Sequence, residues 1–193
     1  MPDLNFKCVH FSYLTIRELY DIMALRQAVF IVEQNCPYLD ADGKDLQSWH
    51  LMGFDDDKNL VAYTRLLPKG VSYENYASIG RVVSSASVRG QGAGKILMQE
   101  SINQMKIIFP NEPVKISAQS YLLRFYESLG FESTGESYLE DDIPHTSMIL
   151  KEQYTPSVFS VFSVEIGQTS TKRFLKMKKK NALFQLFQFF LKV

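Results

Sequence analysis

Seven residues, Arg89-Gly90-Gln91-Gly92-Ala93-Gly94-Lys95, have the types and spacing to hold an anion. Three glycines in five positions let the backbone approach a ligand closely. From Lys95 the apolar residues Met98, Ile102, Met105 and Phe109 recur at helical spacing until Pro110 ends the run. A helix that begins there aims its free N–H groups and the positive end of its dipole into the turn. Arg89 and Lys95 add cationic charge, and phosphate is the anion such a turn suits best. The plainer alternative is a tight strand-to-helix connection that binds nothing.

Spacing decides between phosphate ligands. A Walker A loop puts four residues between its first glycine and the Gly-Lys pair, then Ser or Thr for magnesium. Here three residues separate Gly90 from Gly94-Lys95, and Ile96 follows. A Gly-x-Gly-x-x-Gly dinucleotide fingerprint fails as well, because Lys95 and Leu97 stand where the third glycine is required. What remains is Arg-x-x-Gly-x-Gly, realised as Arg89, Gly92 and Gly94.

The elements that must position this turn can be read from hydrophobic periodicity. Ile79, Val82 and Val83 mark a buried strand leading into it. Upstream, residues 6–11 read as a strand, and Thr15 with Glu18 forms a capping box opening a helix to about Val32. Ile16, Leu19, Met23 and Phe30 would form its buried face. Residues 33–45 read as a solvated loop. Asp40, Asp42 and Asp45 have calcium-loop character, but Lys44 and Leu51 stand where an EF-hand needs oxygen ligands. Residues 49–54 and 60–67 read as a hairpin, and 114–118 as a strand. A helix capped by Ser120 would bury Leu122, Leu123, Tyr126 and Leu129, with Gly130 ending it and Phe131 packing beyond. Residues 131–139 and 145–151 close as an antiparallel pair. The sum is an α/β domain of three layers, a mixed sheet with helices on its faces.

That order and these motifs resemble the GCN5-related N-acetyltransferase (GNAT) superfamily over residues 6–151. Arg89–Gly94 resembles its coenzyme A pyrophosphate loop, and Tyr126-Glu127-Ser128-Leu129-Gly130-Phe131 its Tyr-x-x-x-Gly-Phe segment. Phe30-Ile31-Val32-Glu33-Gln34-Asn35-Cys36-Pro37-Tyr38 and Asp142-Ile143-Pro144-His145 resemble the ElaA-like branch. The resemblance implies a GNAT (acyl-CoA N-acyltransferase) fold whose sheet splays between the fourth and fifth strands. It implies acetyl-CoA as co-substrate, direct acetyl transfer to an amine in a ternary complex, and no metal. Val82 and Val83 would offer backbone to the pantetheine arm, and an N–H near Val83 would polarise the thioester carbonyl. The segment Arg89, Gly90, Gln91, Gly92, Ala93, Gly94 and Lys95 would hold the pyrophosphate. Tyr126 falls where the family places its general acid, and a phenol with a pKa of about 10 can protonate a thiolate. For the base, Glu33, His50 and His145 are candidates. The acidic run Glu140, Asp141, Asp142 would attract a cationic amine, and Cys36 reads as structural.

The bulk numbers fit such a domain. The chain has 193 residues, 46% hydrophobic and 22% charged, enough for one good core. Seven of its 21 Lys and Arg fall in residues 166–193 with no acid, leaving 14 basic against 21 acidic groups in residues 1–165. An acidic domain is a poor nucleic-acid binder. Two cysteines and no basic, apolar leader are consistent with a cytoplasmic protein. Residues 152–193 lie outside the resemblance, as an extension with seven of the 14 phenylalanines. Its basic segment followed by an apolar stripe suits an anionic membrane surface, a partner, or packing on the domain. Two rival readings stand beside the enzyme: an acetyl-CoA-binding regulatory module without turnover, and a protein directed to a membrane or partner by this tail. The acceptor is left open between small amines, peptide N-termini and lysine side chains, and a homodimer is compatible with the fold.

Overall fold

Seven strands form one mixed sheet in the order β1-β2-β3-β4-β5-β7-β6. In chain order the elements are β1 (Asn5–His10), α1 (Ile16–Arg26), β2 (Trp49–Phe54), β3 (Leu60–Leu67), β4 (Ala77–Ser84), α2 (Ala93–Ile108), β5 (Val114–Gln119), α3 (Leu123–Glu127), β6 (Phe131–Glu140) and β7 (Ile143–Leu150). The computed structural model describes residues 2–151. The basic, aromatic extension read at 152–193 therefore lies outside the described residues. Among those described, no helix is long and apolar enough to cross a membrane.

The two faces of the sheet are built from alternate residues, as the strand period requires. Leu51, Ala62, Leu66, Ile79, Ile116 and Met148 pack with Leu97, Met98, Ile102 and Met105 of α2. Met52, Tyr63 and Val83 pack on the opposite face with Ile22 and Val29. The capping box forms: Glu18 N–H donates to Thr15 Oγ1 at 3.2 Å, and Thr15 N–H to Glu18 Oε2 at 2.9 Å. The buried stripe of this helix differs from the expected one. Ile16 is 91% exposed in the first turn, and Ile22, Arg26 and Val29 are the buried positions. After Arg26 the helix widens to a π-helix over Gln27–Glu33.

Three further local expectations shift. Ser120 does not cap a helix, because its hydroxyl is bonded to Thr146 Oγ1 at 3.0 Å and Ser120–Leu122 is a 3₁₀ turn. The closing pair is longer than expected, since Asp141 and Asp142 both take positive φ (49° and 62°) in a two-residue hairpin turn. Side chains of the Asp and Asn type tolerate that conformation. α3 stops at Glu127 with Ser128 as its C-cap, earlier than expected, and Gly130 takes the expected left-handed conformation, at φ 93°, in the turn that follows.

Two irregularities of β4 shape the region around its C-terminal half. It pairs in parallel with β5 only at Ala77↔Val114 and Ser78↔Lys115, so from Ile79 onward its β5 side has no strand partner among the described residues. This is the expected splay between the fourth and fifth strands. On its other side, Thr64 of β3 faces both Arg81 and Val82, because the register passes from Tyr63↔Val83 to Arg65↔Gly80. Arg81 is the bulged residue and takes φ 50°. A left-handed residue with a Cβ costs roughly 1–2 kcal/mol, so something must hold it there.

Candidate active site

At the end of β4 the chain turns through Ala86–Val88 and the glycine segment into α2. Gly90 and Gly92 have φ of 75° and 90°, the reason glycine is needed at both. Gly92 is the helix N-cap and offers no side-chain bond to the helix. Its carbonyl accepts from the N–H groups of Lys95 and Ile96, at 3.0 and 3.2 Å. The amides of Gly90 to Gly94 have no acceptor among the described residues. Gly90, Gln91 and Gly92 are exposed, and Ala93 is the first buried residue. A row of unpartnered N–H groups at the head of a 16-residue helix fits an anionic phosphate group.

Arg89 sits at the rim. Its Nε donates to Ser84 O at 2.9 Å, and its two terminal nitrogens engage both carboxylate oxygens of Glu33, Nη2 to Oε2 at 2.9 Å. The pairing holds Glu33 below the usual carboxylate range and lifts Arg89 further. Glu33, one of the candidate bases, is thus the ion-pair partner of Arg89. Lys95 is exposed, and Gln91 is folded back onto Ser87 O at 3.0 Å. Val82 joins the α2-side core and Val83 the opposite one, both along the strand edge that β5 leaves open.

Tyr126 is buried in the α2-side core, edge-on to Phe125 and Phe131 at centroid distances of 5.1 and 6.0 Å. Its hydroxyl has no hydrogen-bond partner among the described residues. The hydroxyl is not fully enclosed, unlike Arg65 Nε and Ser147 Oγ, which are buried without a partner among the described residues. Burial pushes the phenol up to about 12, so Tyr126 carries its proton throughout the neutral range.

His145 occupies the other face. It pairs across the sheet with Gln119 at the end of β5 and with Tyr138 of β6, on whose ring it stacks at 6.3 Å. Its Nδ1 lies 2.8 Å from Ile143 O. A carbonyl only accepts, so Nδ1 bears the hydrogen and Nε2 of the neutral ring keeps its lone pair. Tyr138 continues the polar row, donating to Ser117 Oγ at 2.7 Å, while Ser117 donates to Glu140 Oε2 at 2.8 Å.

His50 differs from the expectation. It is fully buried, with Nδ1 at 2.8 Å from the Tyr63 hydroxyl and Nε2 at 3.2 Å from Asp45 O. Both nitrogens are used, and burial holds the ring below its ordinary range. It is an internal hydrogen-bonding group.

The larger correction concerns the loop of aspartates. Asp40 and Asp45 are only 5% and 8% exposed, and they face arginines from three elements. Arg26 of α1 bonds Asp40 Oδ2 at 2.8 Å and Asp45 Oδ1 at 2.7 Å. Arg65 of β3 bonds Asp42 at 2.7 and 2.8 Å and Asp45 at 3.1 Å. Arg81 at the bulge bonds Asp40 Oδ1 at 2.8 Å. Desolvation would raise the Asp42 carboxyl, yet Arg65 holds it down at about 2. The signal was available: Arg26 falls in the helix stripe, and Arg65 interrupts the apolar run Leu60–Leu67. Charged residues at core positions require buried partners.

Comparison with known proteins agrees with this architecture. Residues 34–152 match the family described as Acetyltransferase (GNAT) domain. Protein ElaA of Escherichia coli K12 is 42% identical over 147 residues, 75% of this chain and 95% of its own. A UPF0039 protein of Synechocystis is 42% identical over 149 residues, 77% of this chain and 96% of its own. An acyl-CoA N-acyltransferase from Pseudomonas aeruginosa superposes with a TM-score of 0.73 at 44% identity, covering 77% of this chain and 100% of that one. The crystal structure of E. coli ElaA gives 0.71 at 39% identity over the same shares. The reaction class of this fold is acyl transfer from coenzyme A, and the chain belongs to the GNAT superfamily, in its ElaA-like branch.

Proposed function

We propose that the protein is an acetyl-CoA-dependent N-acetyltransferase of the cytoplasm, moving an acetyl group directly to a primary amine in a ternary complex without a metal. The observation that carries this reading is the row of unpartnered amides at Gly90–Gly94 beside the open edge of β4. These amides would take the pyrophosphate, and the free edge of β4 around Val82 and Val83 would pair with the pantetheine arm. The bound thioester supplies the activated acetyl group.

The chain's own groups then divide the proton work between the two faces of the sheet. Tyr126, neutral and without a competing hydrogen bond among the described residues, donates toward the departing thiolate. His145, with Nε2 bare on the opposite face, accepts a proton from the acceptor's ammonium, directly or through one water, and the free amine so formed attacks the thioester carbonyl. Glu33 serves Arg89 instead. Exposed Glu140, Asp141 and Asp142 at the β6–β7 turn favour an acceptor that arrives as a cation.

Titration calorimetry of acetyl-CoA into wild type, Gly92→Ala and Gly92→Glu tests the reading. Both variants strain a left-handed position, but only Glu brings a carboxylate to the phosphate site. Saturable wild-type binding, weakened in Gly92→Ala and lost in Gly92→Glu, is the expected result. A wild type that binds no acetyl-CoA overturns the reading.

A further inference from the structure

The bulge in β4 does more than kink the strand. Counting from Ile79 on the α2 face, regular alternation would put Val83 on that same face and Val82 on the other. The opposite is observed: Val82 packs with the α2-side core, and Val83 with Ile22, Val29 and Tyr63. The one extra residue, Arg81, inverts the phase of everything after it. Which backbone groups of Val82 and Val83 face the open β5 side is therefore set by whether Arg81 stays in its left-handed conformation.

Nothing in the arginine backbone favours that conformation, so its side chain must be held. Arg81 Nε donates to Asp40 Oδ1 at 2.8 Å, and Nη2 lies 3.4 Å from Asp40 O and 3.5 Å from Asp42 Oδ2. The guanidinium also lies over the rings of Tyr38 and Phe30, at 5.4 and 6.0 Å. Asp40 is in turn fixed by Arg26 and by the Tyr38 hydroxyl, which donates to Oδ1 at 3.1 Å. The anchor is thus rigid and nearly enclosed, with the side chain of Arg26 wholly buried.

We propose that Arg81, clasped by Asp40, is a positioning residue for acyl-CoA: it locks the β4 bulge and so sets the phase in which Val82 and Val83 present their backbone to the thioester arm. Arg81 touches neither the acyl group nor the amine; it acts through the strand. The inference rests on the acyl-CoA reading of the open edge of β4.

Glycine makes the test. Arg81→Ala loses the clasp and keeps the cost of positive φ, so the bulge relaxes. Arg81→Gly loses the clasp but is at ease at positive φ, so the bulge persists. Steady-state kinetics should show the acyl-CoA KM raised about tenfold in Arg81→Ala, with the amine KM within about twofold of wild type. Arg81→Gly should recover most of the loss. A merely stabilising arginine would predict the reverse, since glycine loosens the unfolded chain further. Hydrogen exchange at the Val82 and Val83 amides, measured without ligand, gives a second readout: faster in Arg81→Ala, near wild type in Arg81→Gly. Equal exchange in both variants, or an Arg81→Gly enzyme no better than Arg81→Ala, overturns the clasp. Failure of the wild type to bind acyl-CoA overturns the functional reading alone, because the exchange arm still reports on the bulge.

Discussion

Arginine meets oxyanion on both sides of β4, under opposite conditions. Near the bulge, Arg26, Arg65 and Arg81 meet Asp40, Asp42 and Asp45, with Arg26, Asp40, Asp45 and Arg65 buried. Beyond Ser84, Arg89 stands in water beside a row of amides with no acceptor among the described residues. Burying an ion costs several kcal/mol unless partners replace its water, so the inner cluster is stable only when complete. The outer loop can stand empty because solvent serves its amides. One chemistry therefore gives a fixed internal joint in one place and a ligand-ready surface in the other. β4 connects them, its bulge tied to the first and its end leading into the second.

The sharpest way to break this contrast is to make the inner cluster incomplete. Arg26→Ala leaves Asp40 and Asp45 enclosed with half their counter-charge gone. Removal of one partner from such a site costs about 3–5 kcal/mol. Urea unfolding should show it as a lowered midpoint, and a loss under about 1 kcal/mol would mean water reaches the cluster. The pH dependence has a definite sign. Asp42 is held at about 2 against an ordinary 3.8, so its contribution is full above pH 4 and disappears as pH falls toward 2. Acid unfolding in that window should shift upward in Arg65→Met.

Next in size are Tyr126 and His145, the two groups we propose for proton transfer, which lie on opposite faces of the sheet. His145→Gln should lower kcat/KM by about 10²–10⁴-fold while leaving acyl-CoA binding intact. Tyr126→Phe should cost less in folding, because it deletes only a hydroxyl without a hydrogen bond, and should lower kcat by about 10²-fold. Tyr126 loses its proton only near pH 12, so the wild-type rate should not fall below pH 10 through this group. A Tyr126→Phe enzyme with unchanged kcat would remove the tyrosine from the donor role.

The sequence revealed the outer site more readily than the inner one, for a physical reason. A phosphate-type turn is local: three glycines, a flanking arginine and a helix start lie within a few residues, and each has a single-residue rationale. The same holds for the Thr15–Glu18 box and for Gly130. The clasp is non-local, with Arg26, Arg65 and Arg81 drawn from separate elements to one short loop. Taken in sequence alone, Asp40, Asp42 and Asp45 look like solvated charges. The apolar-face rule also misplaced Ile16 and passed over Arg26, since periodicity marks a stripe without saying that an arginine can fill it. The bulge at Arg81 is equally hidden, because it exists only as a difference of register between β3 and β4. His145 was visible as a candidate. Its bare nitrogen depends on the turn that brings Ile143 O to Nδ1.

The smallest expected effect tests the Glu33–Arg89 ion pair at the outer site. Glu33 and Arg89 are 48% and 37% exposed, and water screens an ion pair of this kind. Glu33→Gln should therefore leave the unfolding midpoint nearly unchanged. Its effect should appear in binding, because a carboxylate on Arg89 opposes the arrival of a phosphate. At low salt the variant should bind acyl-CoA more tightly, by up to about fivefold, with the gain fading as salt screens both pairs. If Glu33 were instead the base, Gln would leave the Kd alone and lower kcat by about 10²-fold or more. Measuring Kd and kcat on the same variant separates the two, and a rate loss without a change in affinity would restore Glu33 as the base.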